Sequence, residues 1–340
     1  MKIWQGLALA ALVIPAAAAQ QVFEGRSEAG DIRAVRVHNV SGSVDFAPSE
    51  GPEVSFYASA EKDVETVLIQ RNGSTMEVIV KLPSGNRRKT KTKLEVKAPA
   101  GIPFEIETVS ADVRVTGVTS DAKIATVSGN VNLDGVCPVA RIETVSGDAV
   151  MSGRSGTFEA DTTSGDITLH AGGGDAEMES VSGHIKVTGE REKVSASSTS
   201  GNVVVESGAS SLEVETISGD ILANGLRNEV SVSSTSGNIT LGGGKLEKLE
   251  ASTISGDTIY RGEIAPEGEF RFESKSGNVV AEFPLGTAAE VEVRSFAGTV
   301  RAKEVSGSRR GETHEFQWGG GGAEIRIETF SGDVAISNEL

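Results

Sequence analysis

The sequence predicts an all-β protein: a parallel β-solenoid (β-helix) built of coils of about 18 residues, each holding two short strands. Three observations carry that expectation. The stretch "ETVSGD" at 143–148 returns as "TTSGD", "SVSGH", "STSGN" and "TISGD", and its serine falls at Ser110, Ser128, Ser146, Ser164, Ser182, Ser200, Ser218 and Ser236, a step of 18 each time. Apolar and polar residues alternate on both sides of every motif. The composition, with 41 glycines and 4% aromatics, suits many short strands joined by tight turns.

With the motif serine counted as zero, position −2 is Thr or Ser throughout, from Thr108 and Thr126 to Ser234 and Thr253. Position −4 is mostly apolar (Ile106, Ile124, Ile142, Met178, Val214), and so is −6 (Phe104, Ala122, Phe158, Leu212). Charged or polar residues such as Glu105, Lys123, Arg141 and Glu177 stand between them. After the turn, Val113, Val131, Ile167 and Ile185 occupy +3, and Val115, Leu133, Leu169 and Val187 occupy +5; a glycine often follows at +7. Period-two alternation marks half-buried strands, so each unit reads as two strands of roughly five residues and two turns.

A fixed period of this length signals stacked repeats. In a solenoid, successive coils stack at about 4.8 Å with equivalent residues in register. A one-residue slip would turn each side chain to the other face, so the spacing must be held. The Ser-Gly-Asp corner then recurs because every coil turns at the same place, the glycine supplying unusual backbone angles and the Asp or Asn satisfying nearby amides. A rival geometry makes Ser-Gly the centre of a two-residue hairpin loop, giving an antiparallel meander. We favour the solenoid, because a long sheet with one apolar face needs a cover and a meander has less need of constant spacing. The general bias of parallel crossovers favours a right-handed coil.

The period loosens late: Ser255, Ser276 and Ala297 follow at 19, 21 and 21, and Ser331 closes the series after a gap of 34. That gap carries "SGSRRGETHEFQWGGGG", read as a loop or edge excursion over 303–323. Near the start, Val35, Val37, Val44 and Phe46 around "VSGSV" fit one more coil. Residues 47–103 break the pattern and read as irregular strands covering an open end. The expected organisation is a signal peptide at 1–19, an N-terminal β-rich coil and cap region at 20–103, and the repeat domain at 104–340.

The leader rests on Lys2, the apolar run Ile3–Ile14 and the small residues Ala17, Ala18 and Ala19. An uncleaved anchor is the alternative. No later segment reaches about 18 consecutive apolar residues, so the mature chain has no expected membrane span. Loss of Lys2 takes the formal charge from −16 to about −17, which argues against nucleic acid or anionic lipid as partner. Cys137 is the one cysteine, so no internal disulfide can form, and it reads as a small buried apolar residue.

The Asp/Asn column (Asp112, Asn130, Asp148, Asp166, Asn202, Asp220, Asn238, Asp257 and Asn278, with His184 in the same slot) reads as a calcium ladder or as turn chemistry. We favour turn chemistry, because Asn relieves repulsion between stacked carboxylates and a metal column would keep them. The −2 hydroxyls point inward and need partners that stacked neighbours can supply. His38, His170, His184 and His314 form no recognisable triad motif. A carbohydrate-active enzyme would need a carboxylate pair on one outer face, and Glu143, Asp161 and Glu179 recur there like a solvated face. Tyr260 falls at an inward slot. "THEFQW" at 313–318 reads as a contact loop or, preferably, as aromatics folded over a solenoid edge. The run "GNRRKTKTK" reads as a solvated hairpin or as a contact for anionic glycans or headgroups.

The "T-x-S-G-D/N-[VI]" coils from Ser110 to Ser331, the lead-in "KLEVKAPAGIPFEIETVSADVRVTG" and the ending "GGGGAEIRIETFSGDV" together resemble the bacterial putative-adhesin family of the DUF4097 type, related to auto-transporter adhesin head domains. The likeness covers most of the mature chain. It implies an exported β-solenoid-like protein with no established catalytic residues. No membrane-barrel pattern follows the repeat, as it would in an autotransporter. The expected function is an exported, non-enzymatic scaffold or adhesin-like binding module of the cell envelope, periplasmic or at the cell surface. No catalytic, cofactor-binding or metal residue is expected, and the partner is an envelope protein or glycan. The alternative is a polysaccharide-active lyase or hydrolase.

Overall fold

The computed structural model describes residues 12–14, 20–61, 64, 66–82, 91–305 and 311–340. Among them are strands, turns and bends and no helix, so no helix there is long and apolar enough to cross a membrane. Apart from strand Leu12–Ile14, the leader lies outside the described residues, as do most of the basic run 85–93 and residues 306–310 of the late loop. The chain forms two compact units, Met1–Ala171 and Gly172–Leu340.

In the first unit, strands Phe104–Val118, Val131–Thr144 and Ala149–Thr162 stack in parallel, each residue opposite the one 18 further on: Val113 faces Val131, which faces Ala149. The pairing is parallel rather than antiparallel, which decides against the meander. Inward columns fill the interior, with Ile106, Ile124 and Ile142 at one level and Val115, Leu133 and Met151 at another, all fully buried. Size is traded within the stack: Phe158 in one coil lies beside Ala140 in the coil before. Burial of such side chains stabilises by about 1.5–3 kcal/mol each.

The expected extra coil is present. Strand Ala34–Ser49 pairs in parallel with Phe104–Val118, Val35 opposite Phe104 and Val44 opposite Val113. The residues between them fold onto its far side as regular strands, not irregular ones. Thr75–Lys81 and Thr92–Pro99 continue the parallel order. Antiparallel strands then finish it: Glu53–Glu61 lies on Thr92–Pro99, Gln20–Glu28 on Glu53–Glu61, and Thr66–Asn72 on Thr75–Lys81. Antiparallel strands interrupt the in-register parallel edge that an open coil would offer to another chain.

The second unit stacks in the same way through Ser211–Thr216, Ile221–Ser234, Ile239–Thr253 and Thr258–Ser274. Its last coils depart from chain order. Ala323–Thr329 is inserted between residues 269–274 and Ala289–Ser295. Likewise Val334–Ser337 lies between Val279–Glu282 and Val300–Arg301. The final motif in sequence, at Ser331, is therefore next to last in space. Strand Thr313–Trp318 runs antiparallel along the outside of Ala289–Ser295. It buries Trp318 at the edge, with the ring 5.9 Å from Phe283 and its indole N–H donating to Glu304 at 2.9 Å. This is the edge-covering role preferred for "THEFQW".

The expected two strands per coil are often one. Val131–Thr144, Ala149–Thr162 and Ile221–Ser234 each run from just after one motif to just before the next. The mid-coil turn is a bend at glycine: Gly153 (φ 105°) and Gly225 (φ 77°) occupy the left-handed region open to glycine. The chain turns there without leaving the ladder. The two-strand form does occur where Gly189 (φ 102°) separates Ile185–Thr188 from Lys193–Ser198.

Candidate functional site

Each residue of the recurring motif has a structural task. The −2 hydroxyl points inward and accepts a hydrogen bond from the N–H of its own motif glycine, three residues on. Thr126, Thr144 and Thr162 do this in the first unit, and Ser180, Ser198 and Ser234 in the second, at 2.7–3.1 Å. Bonds between stacked hydroxyls occur as well, Thr108 to Thr126 at 2.8 Å and Thr216 to Ser234 at 3.0 Å. The partner within the coil, which closes the corner, was missed in the sequence.

The glycine is needed for a reason other than the expected one. The motif glycines are not among those with positive φ. They sit against the backbone of the preceding coil: a Cβ on Gly147 would lie 1.9 Å from the carbonyl oxygen of Gly129, and one on Gly219 would lie 1.9 Å from that of Gly201. Close approach, not torsional freedom, selects glycine here.

The Asp/Asn column is a ladder between coils. In the first unit, Asn130 donates its backbone N–H to Asp112 Oδ1, Asp148 to Asn130, and Asp166 to Asp148, at 2.9–3.0 Å. In the second unit the ladder starts at His184, whose Nδ1 accepts from the Asn202 N–H, and climbs through Asn202, Asp220, Asn238, Asp257, Asn278 and Asp333 to Thr299. The amide satisfied belongs to the next coil, not to the local turn. Asp and Asn alternate from Asn202 to Asp333, so no two carboxylates in that stretch are neighbours. The swapped coil order preserves this, placing Asp333 on Asn278. Asp333 ends the run: the N–H and hydroxyl of Thr299, and then Arg301, hold its carboxyl below the usual range.

The other candidates are dispersed. His38 lies on the outer face of the first coil with Nδ1 3.1 Å from Glu107, His170 is exposed, and His314 is on the edge strand. Glu143 and Asp161 are neighbours on adjacent coils, facing outward, and Glu179 is exposed in the second unit. Tyr260 is buried, as its inward slot predicts, with its hydroxyl donating to the Glu263 carbonyl at 2.9 Å; burial, and then the charge of Glu263, push its acidity down. Cys137 is buried and its thiol is pushed up to about 11, by burial first and by Asp121 second, so it is protonated at neutral pH. Among the described residues, no cluster of His, Cys, Asp and Glu is placed to hold a metal ion.

One column escaped sequence reading. Position −1 points outward at the corner and is often apolar: Val109, Val127 and Val145 in the first unit, and Val181, Ile217, Ile254, Phe296 and Phe330 in the second, are all about half exposed. The signal was legible as an apolar residue before each Ser-Gly. In the second unit this column walls a groove of about 700 Å³. One wall is Ile254, Lys275, Phe330 and Phe296; the other is the −3 row of Ser252, Glu273, Glu328 and Arg294; the −2 residues Thr253, Ser274 and Thr329 form the floor. The rings of Phe296 and Phe330 stack at 4.9 Å with 9° between their planes, and they are 53% and 56% exposed.

The sequence matches the Toastrack DUF4097 family over residues 27–221 and again over 174–337. The chain belongs to that family. The resemblance read from the "T-x-S-G-D/N" coils therefore holds, and the two Toastrack matches together span nearly the whole described chain. Solved structures similar to this Toastrack chain include a putative adhesin from Parabacteroides merdae, 11% identical, covering 76% of this chain and 90% of that one with a TM-score of 0.38. Another is a putative lipid binding protein from Parabacteroides distasonis, 15% identical, covering 75% and 94% with a TM-score of 0.37. A third is a putative cell adhesion protein from Clostridium sporogenes, 11% identical, covering 94% and 100% with a TM-score of 0.21. No curated protein matches.

Proposed function

We propose that the chain is an exported, non-enzymatic β-solenoid, right-handed in its coiling, that serves as a scaffold or adhesin-like binding module of the bacterial cell envelope. One observation carries this reading. The hydroxyls and carboxylates that recur in the motif, the most conspicuous candidates for chemistry, are engaged in hydrogen bonds that build the coil. What remains at the corner is an outward apolar and aromatic column suited to contact rather than reaction. In this reading, residues 1–19 direct export to the periplasm or cell surface, 20–103 form a coil and cap region, and 104–340 form the repeat domain with its excursion at 303–323. No catalytic, cofactor or metal residue is assigned, and the partner is an envelope protein or glycan.

The second reading, a polysaccharide-active lyase or hydrolase, rests on Glu143 and Asp161 standing side by side on an outer face. Incubation with a panel of polysaccharides and chromatography of the products separates the two. The scaffold reading expects no shortened chains. Products from wild-type protein that vanish in Glu143→Gln would overturn it. Fractionation of native cells tests the location, with the envelope fraction expected and the cytoplasm contradicting it.

A further inference from the structure

We propose that the corner groove of the second unit binds an acidic glycan, a chain of uronic-acid sugars. Phe330 and Phe296 would lie against the apolar faces of the pyranose rings, and Arg294 and Lys275 would meet the sugar carboxylates. This rests on the binding-module reading above and names the ligand class of that module.

The first argument is charge. The protein carries −16, and on the second unit nearly every described surface cation is neutralised by a neighbouring carboxylate. Lys186, Lys193, Arg227, Lys248, Arg261, Arg271, Arg301, Lys303 and Arg326 all have one within 4.0 Å. Among the described residues, the surface cations of this unit without such a partner are Lys245, Lys275 and Arg294. Two of those three line one groove.

Arg294 makes the point sharply. Two residues earlier on the same strand, Glu292 takes the guanidinium of Arg326 on the neighbouring strand at 2.9 Å. Arg294 stands opposite Glu328 on that same neighbour, an arrangement of equal opportunity, and no ion pair forms. A guanidinium left open beside an exposed aromatic pair is set for a carboxylate from outside, because its planar fork matches a carboxylate with two parallel hydrogen bonds.

The second argument is shape and surface. Exposed aromatics on an otherwise charged surface mark contact sites. Here they form one wall of a groove that runs along the stack, across several coils, with Glu328 and Ser252 opposite them as partners for hydroxyls. A linear chain with alternating apolar ring faces, hydroxyls and carboxylates satisfies all of these groups together. A purely apolar ligand would leave Arg294 and Lys275 unused, and a simple polyanion would leave the rings unused.

The test is calorimetric titration of the full chain with oligogalacturonate and with oligomannuronate. Cellohexaose serves as the neutral control and a poly-glutamate peptide as the charge control. At least one uronic oligomer should bind, with both controls much weaker, and binding should weaken as salt is raised. Phe330→Ala and Arg294→Gln should each weaken it by tenfold or more while melting with the wild type, and Lys245→Gln should change nothing. The proposal is overturned if neither uronic oligomer binds. It is equally overturned if cellohexaose or poly-glutamate binds as well, or if Phe330→Ala and Arg294→Gln bind like wild type. Shortening of the oligomer during the titration would instead refute the non-enzymatic reading while leaving the place of the groove intact.

Discussion

Substituting a motif glycine by alanine isolates the contact that sets the coil spacing. In Gly219→Ala the new Cβ would stand 1.9 Å from the Gly201 carbonyl oxygen, well over 1 Å inside ordinary contact. The two coils must part at that corner, against the bond from the Ser218 N–H to Thr199 at 3.0 Å and the ladder bond from Asp220 to Asn202 at 3.0 Å. Overpacking costs about 1–3 kcal/mol and each backbone bond lost about 1 kcal/mol more, so the expected destabilisation is about 3–5 kcal/mol. Two controls separate the collision from torsion. Gly286 has φ 91° and nothing near its missing Cβ, so Gly286→Ala should cost about 1–2 kcal/mol through its backbone angle alone. Gly320 has neither constraint, so Gly320→Ala should be neutral or slightly stabilising, by up to about 1 kcal/mol. Urea melts of the three variants give the ranking. A Gly219→Ala protein as stable as Gly320→Ala would refute the close-approach argument.

Other consequences are testable on the same footing. Asp220→Ala removes the acceptor that holds the Asn238 N–H at 2.8 Å and should cost about 1–2 kcal/mol; Asp220→Asn, which keeps Oδ1, should stay within about 0.5 kcal/mol of wild type, and equal losses in the two would refute the ladder. Ile185→Asp places a charge at a fully buried position and should cost on the order of 4 kcal/mol with loss of soluble protein; the exposed Glu179→Ala should change stability by less than about 0.5 kcal/mol, and a harmless Ile185→Asp would mean the inward register is wrong. Asp333 has its folded pKa lowered by Thr299 and Arg301, so its contribution is fully present above the unfolded carboxylate value of about 4 and is lost as pH falls through the folded value. Asp333→Asn should therefore flatten the acid limb of the stability curve, and an unchanged limb would contradict that. Chelation should leave the melting temperature where it was if the ladder is turn chemistry; a drop reversed by calcium would restore the metal reading.

The coil, its inward columns and the extra coil at Val35–Phe46 were legible because period-two alternation and an 18-residue step are properties of sequence alone. The roles of the motif residues were half legible. That Gly219 recurs at a corner is visible in the chain, but its 1.9 Å approach to Gly201 exists only once coils are stacked. The insertion of Ala323–Thr329 ahead of Ala289–Ser295 in the stack was not legible, because all late coils carry the same pattern and nothing local ranks them. The regular strands of residues 53–99 were masked by their partners: they pair at offsets unrelated to 18, so no internal period reveals them. The candidate groove was missed for another reason. Apolar residues are common on any surface, and Phe296 and Phe330 are far apart in sequence; only the swapped coil order brings their rings to 4.9 Å.

The central claim is that the motif builds parallel coils one repeat apart, and NMR of isotope-labelled protein reads that register directly. Interstrand amide-to-α contacts should join residues 18 apart, Val203 with Ile221 and Ile221 with Ile239, together with Phe270 to Ile325 across the inserted coil. Contacts mirrored about each Ser-Gly instead, with the backbones of Val214 and Ala223 paired across a hairpin, would contradict it.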